Sequence, residues 1–331
     1  MDSMTVLVVG AGAIGGVLAA RLALAGHRVA IVARGAHCAA TAQRGALLLE
    51  TSEGVACAPV AAYDTLRAAP DAQAVFVTVK AHQLAPIADD LAPRVRAAQV
   101  FVPIQNGIPW WYFQHSEGPH AGRIVRAVDP DGHLAALLGN AVIVPAFAQV
   151  AAEVVAPGRV VHQAFAADAF PLGPLAAAHE DAAARAAALI GSAGFNAPLT
   201  DVRRFVWVKL LGNVWANPIG ALTGATVAQI ATHRMGRPLA LALMTEAQSV
   251  ARALGVDPGI DFEQRLERAR TLRQGVKASM LQDVERGRET EHAAILGALI
   301  ELAELARVDV PHVATLQACM ELLADNRRSR S

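Results

Sequence analysis

The stretch Thr5-Val-Leu-Val-Val-Gly10-Ala11-Gly12-Ala13-Ile14-Gly15 decides how the rest of this 331-residue chain is read. Its first half is an apolar, β-branched run of strand length. Its second half spaces three glycines as G-x-G-x-x-G, at the mouth of an Ala/Leu-rich helical pattern over residues 14–25 that Gly26 stops. Residues 27–33 then read as a second strand. In such a unit Gly10 permits the tight turn, Gly12 lets the backbone approach a pyrophosphate, and Gly15 lets helix and strand pack closely. The helix N-terminus then faces the anion. Strand, helix and second strand in their proper places make the loop, Gly10 to Gly15, a dinucleotide site rather than a glycine-rich turn that binds nothing.

A cofactor with a free ribose 2′-hydroxyl is held by an acidic residue roughly 20 positions after the glycines. Here no Asp or Glu occurs between Asp2 and Glu50, and Arg34 stands at the end of the second strand. A guanidinium offers forked donors that suit a 2′-phosphate, so the expected cofactor is NADP rather than NAD.

Working outward, apolar runs at 74–79, 100–104 and 140–144 alternate with helical stretches such as 83–98, which predicts a parallel sheet with helices on its faces. Pro157-Gly158 and residues 159–162 suggest antiparallel strands closing that sheet, followed by a helix over 181–193. From about Val202 the texture turns to long Ala/Leu/Glu/Arg segments of helical period. The expected fold is therefore α/β: a Rossmann-type dinucleotide-binding domain over 1–199, an all-helical substrate and catalytic domain over 200–325, and a flexible tail over 326–331.

Composition narrows the partners. Lys+Arg and Asp+Glu are both 29, so no basic surplus points to nucleic acid or an anionic membrane surface. A hydrophobic fraction of 54% with 18% charged residues excludes a disordered chain. Cys38, Cys57 and Cys319 are odd in number and far apart, which fits a reducing cytoplasm, and no Cys/His/acid cluster has metal-ligand spacing. The apolar stretches at 6–25 and 134–157 are interrupted by glycine or by polar residues and proline, so neither reads as a membrane span. The sequence leaves the oligomeric state open, a homodimer included.

Lys80 and Asn106-Gly107 each close an apolar run, at the carboxyl ends of expected parallel strands where ligands of open α/β sheets bind. In the helical half, Lys209, Asn213 and Asn217 fall at i, i+4, i+8 and so share one stripe of an otherwise apolar helix. Polar groups in such surroundings need partners, and a polar substrate provides them. Ser279-Met-Leu-Gln282 fits a capping box with Ser279 as N-cap, leaving a hydroxyl and backbone N–H groups for a substrate carboxylate. Glu291 follows in a charged run, and His82 and His292 are lesser candidates for a general acid.

These residues, in this order and spacing, resemble the ketopantoate reductase (2-dehydropantoate 2-reductase) family across nearly the whole chain. The resemblance rests on the glycine loop, Arg34, Thr78-Val-Lys-Ala-His-Gln83, Gln105-Asn-Gly-Ile108, Lys209-Leu-Leu-Gly-Asn-Val-Trp-Ala-Asn-Pro218, Ser279-Met-Leu-Gln-Asp283 and Arg288-Glu-Thr-Glu291. It implies NADPH-dependent reduction of ketopantoate to pantoate, as in pantothenate and coenzyme A biosynthesis, in a cleft between the two domains. Lys209 would give the proton to the keto oxygen, and Asn213, Asn217 and Ser279 would hold the substrate. Lys80, Asn106 and Glu291 would contact the cofactor, and Ala146 falls where the family has a further cofactor contact. Two departures stand out: the acidic motif continues Glu291-His-Ala293 where the family has Glu-Ile-Asp, and Trp110-Trp-Tyr-Phe113 follows Asn106-Gly107, to line a pocket or pack a domain interface. Two other readings stay open: an NADP-dependent reductase of another 2-oxo or 3-hydroxy acid, and a nucleotide sensor without turnover. Lys209, Asn213, Ser279 and Glu291 argue against the sensor.

Overall fold

The computed structural model describes residues 3–163, 168–272 and 275–329 of the chain. Among these, five strands form a parallel sheet in the order β5-β2-β1-β6-β7, where β1 is Thr5–Val9, β2 Arg28–Val32, β5 Ala61–Tyr63, β6 Ala74–Val77 and β7 Val100–Pro103. The chain winds outward from β1 through β2 to β5, then returns to the other side for β6 and β7. The direction therefore reverses between β1 and β6, and it is beyond the carboxyl ends of the strands at such a point that open α/β sheets hold their ligands. Every residue of β6 and β7 is buried, which explains their unbroken apolar sequence. Helix α1 (Ala13–Leu24) follows β1, α2 (Gly35–Arg44) follows β2, and α3 (Ala88–Ala97) lies between β6 and β7.

A second sheet departs from the sequence expectation. The strand at 159–163 does not close the parallel sheet. It pairs antiparallel with β8 (Ala151–Ala156) and, as β9 (Arg159–Gln163), parallel with β3 (Ala46–Thr51), which forms a hairpin with β4 (Gly54–Pro59). Helix α1 packs on this sheet so closely that a Cβ on Gly16 would lie 2.7 Å from Val160 Cγ1. The expected strand at 140–144 shrinks to a single parallel bridge between Phe101 and Ile143, with Val144 N donating to the Phe101 carbonyl at 2.9 Å. The helix expected from residue 83 starts at Ala88, after two short 3-10 turns at Ala81–Gln83 and Ala85–Ile87, the second holding Pro86. Helix α4 (His133–Leu138) precedes β8, and α5 (Glu180–Ser192) packs its Ala/Leu/Ile face into the core shared with α1.

The rest is helical: α6 (Val202–Thr223), α7 (Val227–Thr232), α8 (Gly236–Ala253), α9 (Phe262–Arg270), α10 (Ser279–Glu285), a π-helical turn at Ala293–Gly297, α11 (Ala298–Ala306) and α12 (Pro311–Arg328). The chain divides into two compact units: Met1–Gln105, Phe113–Arg123 and Gly132–Val202 in the first, and Asn106–Tyr112, Ile124–Asp131 and Arg203–Ser331 in the second. The helical unit draws in the two early segments by specific bonds. The Glu301 carboxylate accepts from the backbone N–H groups of Arg126 and Ala127, each at 2.9 Å, and the Tyr112 hydroxyl accepts from Trp207 Nε1 at 2.7 Å. At the C-terminus, Asn326 to Arg328 are helical rather than frayed, steadied by a bond from Arg327 to the Arg288 carbonyl at 3.3 Å. Arg330 and Ser331 lie outside the described residues. No helix among the described residues is long and apolar enough to cross a membrane.

Candidate active site

In the first unit, β1 delivers the chain into the glycine loop at the point where the sheet order reverses. Gly10 has φ +97°, a conformation open to glycine at no steric cost, and a Cβ there would lie 2.7 Å from Val79 Cγ1. A Cβ on Gly15 would lie 2.2 Å from Thr78 Oγ1 and 2.4 Å from the Gly10 carbonyl oxygen. Gly12 differs: a Cβ there would meet nothing within 4 Å, so this residue borders open space at the N-cap of α1. The Gly12 N-cap offers no side-chain hydrogen bond to the helix end. The first-turn N–H groups and the positive end of the helix dipole therefore remain for an anion, which is the donor set a dinucleotide pyrophosphate needs.

The loop is tied to both neighbouring strands. Gly10 N and Ala11 N donate to the Val32 carbonyl at 2.9 and 3.2 Å, which brings it to the end of β2, two residues before the exposed Arg34 at the N-cap of α2. On the β6 side, Thr78 Oγ1 donates to the Gly10 carbonyl at 2.6 Å. Lys80 stands two residues further on, at the N-cap of the 3-10 turn Ala81–Gln83, with its backbone N–H on Gln83 Oε1 at 3.3 Å. Ala146 lies past the end of β7, where its N–H bonds the Pro103 carbonyl at 3.1 Å, but its side chain is only 1% exposed. In the sequence Thr78 is one residue of a motif, with no task of its own. It is the bracket between β6 and the loop, a role visible only once β1 and β6 are known to be neighbours.

In the second unit the polar stripe of α6 meets distant parts of the chain. The Lys209 ammonium is desolvated, which lowers its pKa from 10.5 to about 8, while the Glu291 carboxylate opposes that shift. Asn106 Nδ2 donates to Glu291 Oε2 at 3.1 Å, so Asn106, Glu291 and Lys209 form one group although they are far apart in sequence. A turn along α6, Asn213 Nδ2 is buried and makes no hydrogen bond among the described residues. A buried amide donor without a partner inside the protein is one that a bound ligand can satisfy. Asn217 is 3% exposed, and its Oδ1 accepts from Ser279 Oγ at 3.3 Å and from Met280 N at 3.4 Å.

That last contact corrects the capping box. Ser279 is the first residue of α10, not its cap. The cap position is Ala278, and Ser279 turns its hydroxyl to Asn217 instead of to its own helix. Gln282 likewise donates to the Lys277 carbonyl, at 3.2 Å. The cross-chain bond to Asn217 competes with the local one, and sequence spacing alone cannot weigh the two. His292 Nδ1 is engaged with Thr290 Oγ1 at 2.8 Å. The aromatic run is buried. Trp110 and Trp111 are each 2% exposed, and Tyr112 packs edge-to-face on Trp207 with ring centroids 6.2 Å apart.

A G-x-G-x-x-G loop at a helix N-terminus, followed by a helical unit that carries a desolvated lysine, is the build of a nicotinamide-dependent oxidoreductase. The model of the family "Ketopantoate reductase PanE/ApbA" matches residues 6–176, and that of its C-terminal part matches 201–324. A 2-dehydropantoate 2-reductase of Mesorhizobium japonicum is 38% identical, over 98% of this chain and 99% of that protein, and one of Archaeoglobus fulgidus is 26% identical over 93% and 94%. A crystal structure of a PanE/ApbA family ketopantoate reductase from Ralstonia eutropha superposes with a TM-score of 0.82 at 27% identity, covering 98% of this chain and all of that one. This chain belongs to the ketopantoate reductase family of NADP-dependent oxidoreductases.

Proposed function

We propose that this protein reduces 2-dehydropantoate to pantoate with NADPH, and that Lys209 is the proton donor. The observation that carries the reading is the Lys209 ammonium, desolvated and beside Glu291, with a pKa of about 8. An acid of that strength is charged at neutral pH, yet close enough to it to release its proton as the reaction proceeds. NADPH, when bound, supplies a hydride to C2 of the keto acid. The negative charge that develops on the keto oxygen is met by the ammonium, which neutralises it and then protonates it. Glu291 keeps the lysine charged against the pull of desolvation. Asn213 gives its buried amide N–H to a substrate oxygen, and Asn217, whose own oxygen is taken by Ser279 and Met280, presents N–H donors only. Ser279 completes the substrate contacts. In the first unit the α1 N-terminus takes the pyrophosphate and Arg34 the 2′-phosphate, with Lys80 and Ala146 as further cofactor contacts; Asn106 and Glu291 are the cofactor contacts that the second unit supplies. Work in the cytoplasm, as a homodimer, fits this reading; a ketopantoate reductase from Staphylococcus aureus is dimeric.

The test compares kcat/KM for ketopantoate, 2-ketoisovalerate and phenylpyruvate with NADPH. A site built to pair a hydroxyl rejects the analogue lacking it, because its own polar groups are then stranded. Ketopantoate should therefore exceed 2-ketoisovalerate by about two decades or more. A preference for phenylpyruvate rejects the substrate assignment and leaves the cofactor site untouched.

A further inference from the structure

We infer that the segment Asn106–Tyr112 is a positioning strap for the reacting lysine: anchored through Gly107 on the Ala294 carbonyl and through Tyr112 on Trp207, it holds Glu291 beside Lys209. The inference rests on the reading of Lys209 as proton donor and deepens it.

One end of the strap sits on the π-helical turn Ala293–Gly297, which begins two residues after Glu291. Gly107 has φ +79°, and a Cβ there would lie 2.3 Å from the Ala294 carbonyl oxygen, 2.5 Å from its carbon and 2.9 Å from its Cβ. Backbone blocks the space, so no side-chain movement can relieve it. The next residue closes the contact, with Ile108 N donating to the Ala294 carbonyl at 2.9 Å. The residue before it delivers the strap's working group, Asn106 Nδ2, to Glu291 Oε2 at 3.1 Å. The other end sits on α6, where Trp207 Nε1 donates to the Tyr112 hydroxyl at 2.7 Å and Arg203 Nε to the Tyr112 carbonyl at 3.2 Å. Trp207 precedes Lys209 by two residues. Between the ends, Ile108, Trp110 and Trp111 are at most 2% exposed, so the strap is as rigid as core. It thus fixes the spacing between two charged groups carried on different segments, one on α6 and one just before the π-helical turn.

Glu291 is the charged group whose field acts on Lys209. That field falls with separation, so a strap that slips lets the carboxylate retreat and leaves desolvation to act alone. Ordinary core packing has a different consequence: a defect in it lowers stability and leaves the lysine's titration where it was.

The experiment is a titration of the Lys209 ammonium by NMR in ligand-free protein with isotope-labelled lysine, its resonance assigned by its loss in Lys209→Arg. Gly107→Ala should lower the midpoint by about half a pH unit or more, and Tyr112→Phe, which removes one hydroxyl, by a few tenths. The alkaline limb of kcat should move by the same amount, with KM for the keto acid changing less. A midpoint unmoved in folded Gly107→Ala overturns the strap. Should that variant not fold, an unmoved midpoint in Tyr112→Phe overturns it alone. The titration needs no turnover, so failure of the strap is separable from failure of the substrate assignment, which the panel of keto acids reads.

Discussion

The glycine loop and the lysine helix are built on opposite plans. In the loop the proposed function lies in backbone: Gly12 borders open space, Gly10 and Gly15 admit no Cβ, and the groups offered to a ligand are N–H donors of a helix end. In α6 the proposed function lies in side chains, and their chemistry is set by partners brought from elsewhere, with Glu291 and Asn106 separated by 185 positions. A backbone site is fixed by shape and carries no titration. A side-chain site is tuned, and so it can be detuned by a residue that never meets the substrate.

The sharpest way to test that contrast is to remove the tuned group. Lys209→Ala should lower kcat by roughly two to four decades, the usual scale for a positioned acid, with little change in NADPH affinity. The pH profile carries the same information. The ammonium is charged below about 8 and neutral above, so wild-type kcat should fall as pH rises through that value. The variant should lack this limb. Near-native kcat in Lys209→Ala would move the proton to another donor, His82 or His292 being next in line.

Arg34 tests the loop side, where binding and not titration should change. Exchange for Asp replaces a phosphate-matching fork with a carboxylate and should cost NADPH about 1–3 kcal/mol, read as a roughly 5- to 150-fold weaker Kd, with the preference over NADH mostly erased. Equal wild-type affinity for the two cofactors would remove Arg34 from the 2′-phosphate site. The kcat at saturating NADPH should stay within a few-fold of wild type, in contrast to the lysine variant.

The same contrast explains what the sequence makes legible. Local rules place β1, α1, β2 and the loop, because glycine spacing, β-branching and helical period are all short-range signals. The stripe of Lys209, Asn213 and Asn217 is legible for the same reason, being set by helical period within one element. The hairpin of β3 and β4 is missed, since its strands alternate weakly and Gly54 is an inconspicuous turn signal. The second sheet is misassigned because the register of β9 against β3 is a long-range choice. Ser279 is misread as a cap because Asn217, 62 residues away, outcompetes its own helix. The aromatic run is the plainest case: its burial depends on Trp207, and nothing within four consecutive aromatic residues says whether they face a ligand or a core.

The smallest effect should come from perturbing the backbone site through a side-chain bracket. Thr78 Oγ1 donates to the Gly10 carbonyl at 2.6 Å and stands where a Gly15 side chain would have to be. Thr78→Val keeps the branched shape, so loop and helix remain packed, and deletes only that donor. The Gly10 carbonyl retains a bond from Gly12 N at 2.7 Å and is not stranded. The loss should therefore be that of one ordinary hydrogen bond, about 0.5–1.5 kcal/mol, which reads as a roughly two- to tenfold weaker NADPH Kd. Since no titrating group is touched, kcat at saturating NADPH and its alkaline limb should both stay at the wild-type values. Calorimetric NADPH binding alongside a pH profile checks both halves. A limb displaced by Thr78→Val would mean that the loop also tunes the lysine, and the division between a shaped site and a tuned one would fail.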